Sequence, residues 1–187
     1  MRLVVGISGS SAPIYGIRTL EVLRALGVET HLILSDGARR TIELETDYGV
    51  ERVLALAAAV HDNRNLAASP SSGSFRTDGM IVAPCSMKTL GAIVHSYSSD
   101  LLVRAADVAL KERRRLVLVP RETPLHLGHL RNMVAVTEMG AVVLPPMPAF
   151  YHRPKTIEDL VNQTVGKVLD QFGLEHGLFQ RWSTPPE

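Results

Sequence analysis

The chain has one cysteine, few aromatic residues and almost no net charge. A single cysteine among 187 residues excludes an internal disulfide and leaves no cysteine cluster for zinc. The seven histidines form no metal-binding motif, so we expect no metal site. A net charge of +1 gives no bulk electrostatic reason for the chain to bind nucleic acid or an acidic membrane.

The sequence also lacks a long apolar run and a recognisable signal peptide. No apolar stretch approaches the ~20 residues that a transmembrane helix needs. Met1–Ile7 is too short for the apolar region of a signal peptide, so we expect a cytoplasmic protein. Hydrophobic residues make up 45% and charged residues 21%, which is an ordinary globular mixture. This indicates one domain over residues 1–187, with a tail from about residue 173.

Three apolar segments each run into a short polar turn and then into a helical pattern. They are Leu3–Ile7, Met80–Ala83 and Leu116–Val119, and their turns lie at 8–11, 84–89 and 120–124. Parallel strands collect such turns at their carboxyl edge, where ligands bind, so the turns are expected to form one site. Their hydroxyls, backbone N–H groups, one lysine and one arginine suit a phosphate group.

Two further strands, Thr30–Leu34 and Ala141–Leu144, complete a pattern of five strands separated by helix-sized segments. This order predicts an α/β fold with a doubly wound parallel sheet, a three-layer sandwich of Rossmann or flavodoxin-like topology. Between the second and third strands we predict a helix over Val50–Ala59 and then a surface loop over His61–Thr77. A loop of that length in a compact domain is usually functional, such as a lid or an assembly element.

Several polar side chains allow both a structural and a functional interpretation. The serines of the first turn could cap a helix or bind phosphate. Arg104 and Lys111 share a helix face, either in a salt-bridge ladder or as a cationic stripe for an anionic group or a neighbouring subunit. Cys85 is more typical of a small buried residue than of a nucleophile. Glu122 follows Arg121 in an apolar setting, which makes it a candidate for acid–base chemistry or a phosphate site.

Four long segments together carry a family resemblance in sequence, order and spacing. They are Pro84–Leu90, Arg104–Arg114, Leu118–Leu125 and Pro148–Pro154. These segments resemble the UbiX family of flavin prenyltransferases, which are also described as small subunits of aromatic-acid decarboxylases. The resemblance extends from residue 2 to residue 182, nearly the whole chain.

The resemblance implies flavodoxin-like subunits assembled as a dodecamer, with active sites between subunits. It implies that reduced FMN and dimethylallyl monophosphate bind, that the prenyl group is joined to flavin N5 and C6, and that no metal is needed. The product, prenylated FMN, would pass to a UbiD-type decarboxylase, in many bacteria for ubiquinone biosynthesis. Two alternatives stay open: an FMN-dependent cysteine-type oxidative decarboxylase, and a non-catalytic flavin-carrying decarboxylase subunit.

The same resemblance implies site residues, position by position. Ser11 and Glu45 are expected to manage the N5 proton, and Glu122 to relay a proton during ring closure. The expected FMN contacts are Gly9, Ser10, Ser11, Ser35, Ser86, Met87, Lys88, Thr89 and Arg121. The expected dimethylallyl phosphate contacts are Tyr151, Lys167, Arg104 and Lys111, with Trp182 covering the pocket.

Two positions depart from the family pattern. The first turn usually reads Gly-Ala-Ser-Gly, whereas this chain has Gly9-Ser10-Ser11-Ala12. If position 12 needs a positive φ, alanine there must carry strain or shift the turn. Lys167 stands where many family members have arginine.

Overall fold

The protein is described by a computed structural model over residues 1–182. Its centre is a six-stranded sheet in which every neighbouring pair of strands is parallel. The strands are β1 (Arg2–Ile7), β2 (Glu29–Leu34), β3 (Ala59–Asp62), β4 (Gly79–Cys85), β5 (Arg115–Pro120) and β6 (Val142–Val143). Their spatial order is β3-β2-β1-β4-β5-β6, which confirms the predicted doubly wound sheet.

Strand β1 lies at the point where the strand order reverses, with β2 on one side and β4 on the other. Ligands of such sheets bind beyond the carboxyl ends of the strands at this position. The strands that carry the three polar turns, β1, β4 and β5, are consecutive neighbours in the sheet. The fold therefore places the three turns side by side, as the sequence predicts.

Helices cover both faces of the sheet and make the three-layer sandwich. They are α1 (Ile14–Ala25), α2 (Asp36–Glu45), α3 (Val50–Leu54), α4 (Met87–Val94), α5 (Leu101–Lys111), α6 (Leu127–Glu138) and α7 (Ile157–Asp170). Along β1, Leu3, Val5 and Ile7 pack in the core that α1 and α7 cover. Val4 packs in the opposite core, which α4, α5 and α6 cover. This alternation follows from the two-residue period of a strand, so apolar residues throughout β1 are buried on both faces.

Strand β3 is the main difference from the sequence prediction. The predicted helix over Val50–Ala59 ends at Leu54, and residues 59–62 pair with β2 instead of beginning a loop. The segment Ala-Val-His-Asp is short and lies at the sheet edge, where its side chains are alternately half-buried and exposed. Such a strand carries no apolar run, so its pairing with β2 decides its structure.

No helix in residues 1–182 is both long enough and apolar enough to cross a membrane. Within the same residues, no three side chains of histidine, cysteine, aspartate or glutamate are placed to hold a metal ion.

Candidate functional site

Two serines of the first turn connect it to the other two turns. Ser8 Oγ donates to the Pro84 carbonyl at 2.9 Å and accepts the Ser86 amide at 2.7 Å. Ser10 Oγ donates to the Arg121 carbonyl at 2.7 Å. Both serines are buried, so their hydrogen bonds satisfy groups that would otherwise lose water without replacement. The serines therefore hold the three turns together as one rigid edge.

A cavity of about 490 Å³ opens beside these turns. Three helices begin at it: Ser35 precedes α2, Ser86 precedes α4 and Asp100 precedes α5. Helix N-termini carry partial positive charge and free N–H groups, so their convergence favours an anion such as phosphate. The lining residues are Gly9, Ser35, Asp36, Gly37, Asn63, Arg64, Ser86, Lys88, Thr89, Ser99, Asp100 and Leu102.

Side-chain charges at this cavity balance each other. Lys88 and Arg64 are cationic, whereas Asp36 and Asp100 are anionic. Arg64 Nη2 lies 2.8 Å from Asp36 Oδ2, and this pairing lowers the pKa of Asp36. Since the formal side-chain charges cancel, the partial positive charge at the three helix N-termini is what makes the cavity attract an anion.

Gly9 and Gly37 bring the first two turns into backbone contact. A Cβ atom on Gly9 would lie 2.9 Å from the Gly37 Cα, a separation that real Cβ atoms do not show. Any side chain at position 9 would therefore push the turns apart. Gly9 lines the cavity, and this close approach explains why the residue is glycine.

Ser11 and Glu45 lie in direct contact at one side of the turns. Glu45, the last residue of α2, accepts hydrogen bonds from Ser11 Oγ at 3.0 Å and from the Ala12 amide at 2.7 Å. Ala12 has a φ of 68°, the left-handed conformation that alanine adopts at a cost. The strain expected for alanine at position 12 is therefore present. The hydrogen bond that the Ala12 amide donates to Glu45 helps to stabilise the strained turn.

Arg121 and Glu122 are adjacent in sequence but do not form an ion pair. The Arg121 amide donates to the Cys85 carbonyl at 3.3 Å, and the residue is half-buried. Glu122 is exposed, and its Oε1 accepts the Thr123 amide at 3.0 Å. The apolar setting expected for Glu122 is thus wrong for a single chain, because the turn ends at the surface. Its carboxylate is free to meet a ligand or another subunit.

Cys85 is fully buried at the end of β4, and burial raises the pKa of its thiol to about 12. A thiol that stays protonated at neutral pH is a poor nucleophile, which agrees with the interpretation of Cys85 as a core residue.

Met87, two residues after Cys85, begins α4 and packs, half-buried, against the core on that face of the sheet. On α1, burial raises the pKa of the Tyr15 phenol, while Thr164 and then Arg121 act in the opposite direction.

Two predicted phosphate contacts on α5 lie outside the cavity of a single chain. Arg104 donates to Asp107 at 2.6 Å and to the Ser71 carbonyl at 3.0 Å. Lys111 pairs with Glu112 at the far end of the helix, ~15 Å from its cavity-lining first turn at ~1.5 Å per residue. Arg104 and Asp107 thus form a single ion pair, and Lys111 pairs with Glu112 instead of Asp107, so the salt-bridge ladder is not formed.

The remaining predicted contacts form a third group near the C-terminus. The rings of Tyr151 and Trp182 meet edge to face with centroids 6.0 Å apart. Lys167 lies on α7, 3.4 Å from Asp170. None of these three residues lines the carboxyl-edge cavity. The predicted prenyl-phosphate contacts on α5 and near the C-terminus thus lie outside this cavity in one chain.

Sequence reasoning missed Asn63, Arg64 and Asp36. Asn63 fastens the long loop to the start of α5, because its carbonyl accepts the Leu101 amide at 2.8 Å and its side chain accepts the Leu102 amide at 2.9 Å. This contact brings Arg64 to the cavity. No local sequence pattern predicts this contact of Asn63 with α5, because the contact depends on β3 ending beside β2.

The fold and the helix N-termini at its carboxyl edge define a doubly wound α/β protein with a cavity suited to an anion. A family model described as Flavoprotein matches residues 1–169. The flavin prenyltransferase UbiX of Thauera aromatica is 63% identical over 183 residues, which cover 98% of this chain and 94% of that protein. The chain belongs to the UbiX family of flavin prenyltransferases.

Two solved structures extend this similarity to three dimensions. AnUbiX in complex with FMN and dimethylallyl pyrophosphate has a TM-score of 0.97 and 56% identity, covering 98% of this chain and 97% of that one. A dodecameric FMN-dependent UbiX-like decarboxylase from Escherichia coli O157:H7 has a TM-score of 0.97 and 54% identity, covering 98% and 100%. The fold class predicted from sequence is confirmed by these neighbours.

Proposed function

We propose that this chain transfers a dimethylallyl group from dimethylallyl monophosphate to reduced FMN and forms prenylated FMN. The allylic C–O bond breaks, phosphate leaves, and the freed prenyl carbon bonds to flavin N5, which gives up one proton. The prenyl double bond then takes up one proton at its inner carbon while its outer carbon bonds to C6, which gives up a second proton. The similarity to flavin prenyltransferases over nearly the whole chain carries this proposal. That similarity favours it over a cysteine-type decarboxylase or a non-catalytic flavin carrier.

The proposed FMN site is the carboxyl-edge cavity, with the flavin phosphate at the helix N-termini beside Ser35 and Ser86. Lys88 and Thr89 line the same cavity and could contact the phosphate. Gly9 allows close approach of the backbone, and Ser10 ties the first turn to Arg121. The residues present therefore fit the phosphate end of FMN, which supplies the acceptor ring when bound.

The proposed proton chemistry belongs to Ser11, Glu45 and Glu122. Glu45 already accepts the Ser11 hydroxyl proton in a hydrogen bond, so the pair can pass a proton between a ligand and solvent. Glu122 has no charged partner within residues 1–182. Its carboxylate could therefore accept the proton lost at C6 and give it to the departing phosphate.

The cations proposed to hold the departing phosphate are Arg104, Lys111, Lys167 and Arg121, with the hydroxyl of Tyr151. Phosphate develops negative charge as it leaves, so preorganised cations lower the barrier. In one chain Lys111 lies at the end of α5 that is far from the cavity, which suggests that a complete site needs more than one subunit. A dodecameric relative supports this, and we propose the same assembly here.

A UbiD-type decarboxylase is the proposed recipient of the product. The pathway it serves, such as ubiquinone biosynthesis, depends on that recipient. The partner is inferred from the family alone, because the described residues contain no feature specific to it.

The decisive experiment is anaerobic incubation of the purified protein with reduced FMN and dimethylallyl monophosphate, followed by mass spectrometry of the released flavin. We expect a flavin enlarged by one C5 unit. Controls without the prenyl phosphate, and with oxidised FMN, should return unmodified FMN. Unmodified FMN in the complete reaction would contradict the proposed function.

A further inference from the structure

Asp170 joins three cationic or hydrogen-bonding side chains near the end of α7. Arg181 donates to both of its carboxylate oxygens, at 2.7 and 3.1 Å. His176 Nε2 lies 3.1 Å from Oδ1, and Lys167 Nζ lies 3.4 Å from Oδ2. We call these four residues the Asp170 cluster. The carboxylate is only 16% exposed, so the bonds are made in a partly desolvated setting where they are stronger than at the open surface.

The cluster fastens the last described part of the chain, residues 174–182, to α7. We call these residues the C-terminal strap. Because the Leu178 amide donates to His176 Nδ1, the other ring nitrogen must carry the proton that bonds to Asp170. The His176 side chain is 1% exposed, so the bond is shielded from water. These contacts tie both ends of the strap to one carboxylate.

Close packing strengthens this attachment. A Cβ atom on Gly166 would lie 2.5 Å from Phe179 and 2.6 Å from His176, so the strap lies directly on the helix backbone. The Arg181 guanidinium also lies 5.7 Å from the centroid of the Phe179 ring. Arg181 is therefore held from two sides, and the residue that follows it is Trp182.

We propose that Asp170 is a positioning residue that places Trp182 against Tyr151 by holding the C-terminal strap on α7. This inference rests on the proposed function, in which Tyr151 and Lys167 contact the prenyl phosphate. Trp182 is 71% exposed, and Tyr151 supplies its one aromatic contact within residues 1–182. Its location is thus decided mainly by the strap, since its own packing is slight.

The Asp170 carboxylate also orients Lys167 but leaves its ammonium group able to bind a phosphate. The Lys167 contact, at 3.4 Å, is the longest in the Asp170 cluster, whereas Arg181 holds Asp170 at 2.7 Å. An ammonium group has three donors, so Lys167 can bond a phosphate while Asp170 still restrains it. Asp170 would therefore position two residues of the prenyl-phosphate pocket, Trp182 and Lys167.

The test compares Asp170→Asn with the wild type. The amide keeps the shape but loses the charge that holds Arg181, so we expect KM for dimethylallyl monophosphate to rise about tenfold or more. FMN affinity should stay within about twofold, because the turns do not change, whereas kcat should fall as well, because Asp170 no longer orients Lys167 toward the departing phosphate. Asp170→Glu, which restores the charge, should recover most of the loss.

Trp182 is the only tryptophan, so its fluorescence anisotropy reports the strap without any substrate. We expect a fast nanosecond decay to appear in Asp170→Asn. Gly166→Ala leaves every charge in place but pushes Phe179 outward, and it should produce the same fast decay and the same rise in KM. Glu175→Gln removes a neighbouring exposed carboxylate and is the matched control, expected to change neither quantity.

Unchanged anisotropy and unchanged KM in Asp170→Asn would overturn the inference, as would equal changes in Glu175→Gln. A wild-type protein that makes no prenylated flavin would instead overturn the proposed function, while the anisotropy measurement would still decide whether Asp170 holds the strap. Circular dichroism shows whether Asp170→Asn folds. If it does not fold, the anisotropy and KM of Gly166→Ala test the inference instead.

Discussion

Glu45 shows how one side chain can support both a strained turn and a proposed proton path. It accepts from Ser11 Oγ and from the Ala12 amide, and Ala12 is the residue with the unusual φ. A left-handed conformation costs alanine ~1–2 kcal/mol. Loss of the Glu45 carboxylate should therefore disturb the turn as well as the chemistry.

We predict that Ala12→Gly stabilises the protein slightly. Glycine adopts a φ of 68° without steric cost, which outweighs the ~0.4–1 kcal/mol lost because its unfolded chain is more flexible. Thermal or denaturant unfolding should show a gain of about 0.5 kcal/mol. Ala135→Gly, inside α6, is the control and should destabilise by about 1 kcal/mol. A destabilised Ala12→Gly would mean that the turn carries no strain.

Glu122→Gln should separate proton transfer from binding. The amide keeps the size of the side chain and its acceptor for the Thr123 amide, but it cannot exchange a proton at neutral pH. We expect FMN affinity to stay nearly intact while single-turnover formation of prenylated FMN falls ~100-fold or more. Glu138→Gln, an exposed residue on α6, should behave like the wild type. Wild-type turnover in Glu122→Gln would end its assignment as an acid–base residue.

At the scale of secondary structure, β3 is attached to β2 partly through two histidines. His31 on β2 and His61 on β3 lie with ring nitrogens 2.9 Å apart and their rings stacked. The groups that face them are Glu29 on β2, Arg2 on β1 and the Phe75 ring from the long loop. The edge of the sheet is therefore held by groups that titrate.

This attachment should weaken in mild acid. Burial, with a smaller contribution from His31, lowers the pKa of His61 below its ordinary 6.5, so the unfolded state binds more protons than the folded state. The stabilising contribution is therefore complete above pH 6.5 and is lost as pH falls through the depressed value. Unfolding midpoints measured between pH 7.5 and about 5 should decline, and more steeply than in His61→Asn. His95→Asn, at an exposed position, should keep the wild-type slope.

A second loss of stability should follow in stronger acid. Hydrogen bonds from Arg2 and then His31 lower the pKa of Glu29 from 4.5 to about 2. Its contribution is therefore complete above pH 4.5 and disappears as pH falls through about 2. A midpoint that does not change between pH 7.5 and 5 would show that the pKa of His61 is the same in the folded and unfolded states.

At the scale of the whole molecule, the placement of Arg104 and Lys111 away from the cavity points to sites shared between subunits. Arg104 and Lys111 lie on α5, Tyr151 and Trp182 lie near the C-terminus, and neither group lines the cavity beside the turns. An oligomer of proper symmetry can bring groups from different chains into one pocket. Light scattering at micromolar concentration should therefore show an oligomer, and a monomer would contradict the shared site.

Complementation tests sharing directly. Ser11→Ala and Lys111→Ala should each abolish most activity alone. If the two residues of one site come from different chains, oligomers assembled from both variants contain some sites in which both are intact, and activity returns in part. If each site lies within one chain, every site keeps one defect and activity stays absent. Oligomers of Ser11→Ala alone, prepared in the same way, are the control.

Much of this architecture follows from local sequence. Apolar runs ending in Ser, Pro and Gly turns predict β1, β4 and β5 and place their turns at one edge, because parallel strands present their carboxyl ends together. The positive φ at Ala12 was anticipated as a condition of the turn, since glycine is usual there. The family resemblance points to the same residues, and membership of that family is confirmed.

Other features were decided only by tertiary structure. The strand β3 has no pattern of its own and exists because β2 offers an open edge, and Arg64 reaches the cavity because the loop after β3 is tied to α5. Asp170 and Arg181 are eleven positions apart and meet only because the chain folds back over α7. Sequence by itself determined the other five strands and the family, because those depend on local periodicity and motif. The fold decided which distant charges meet, because that depends on how the packed elements bring separate segments together.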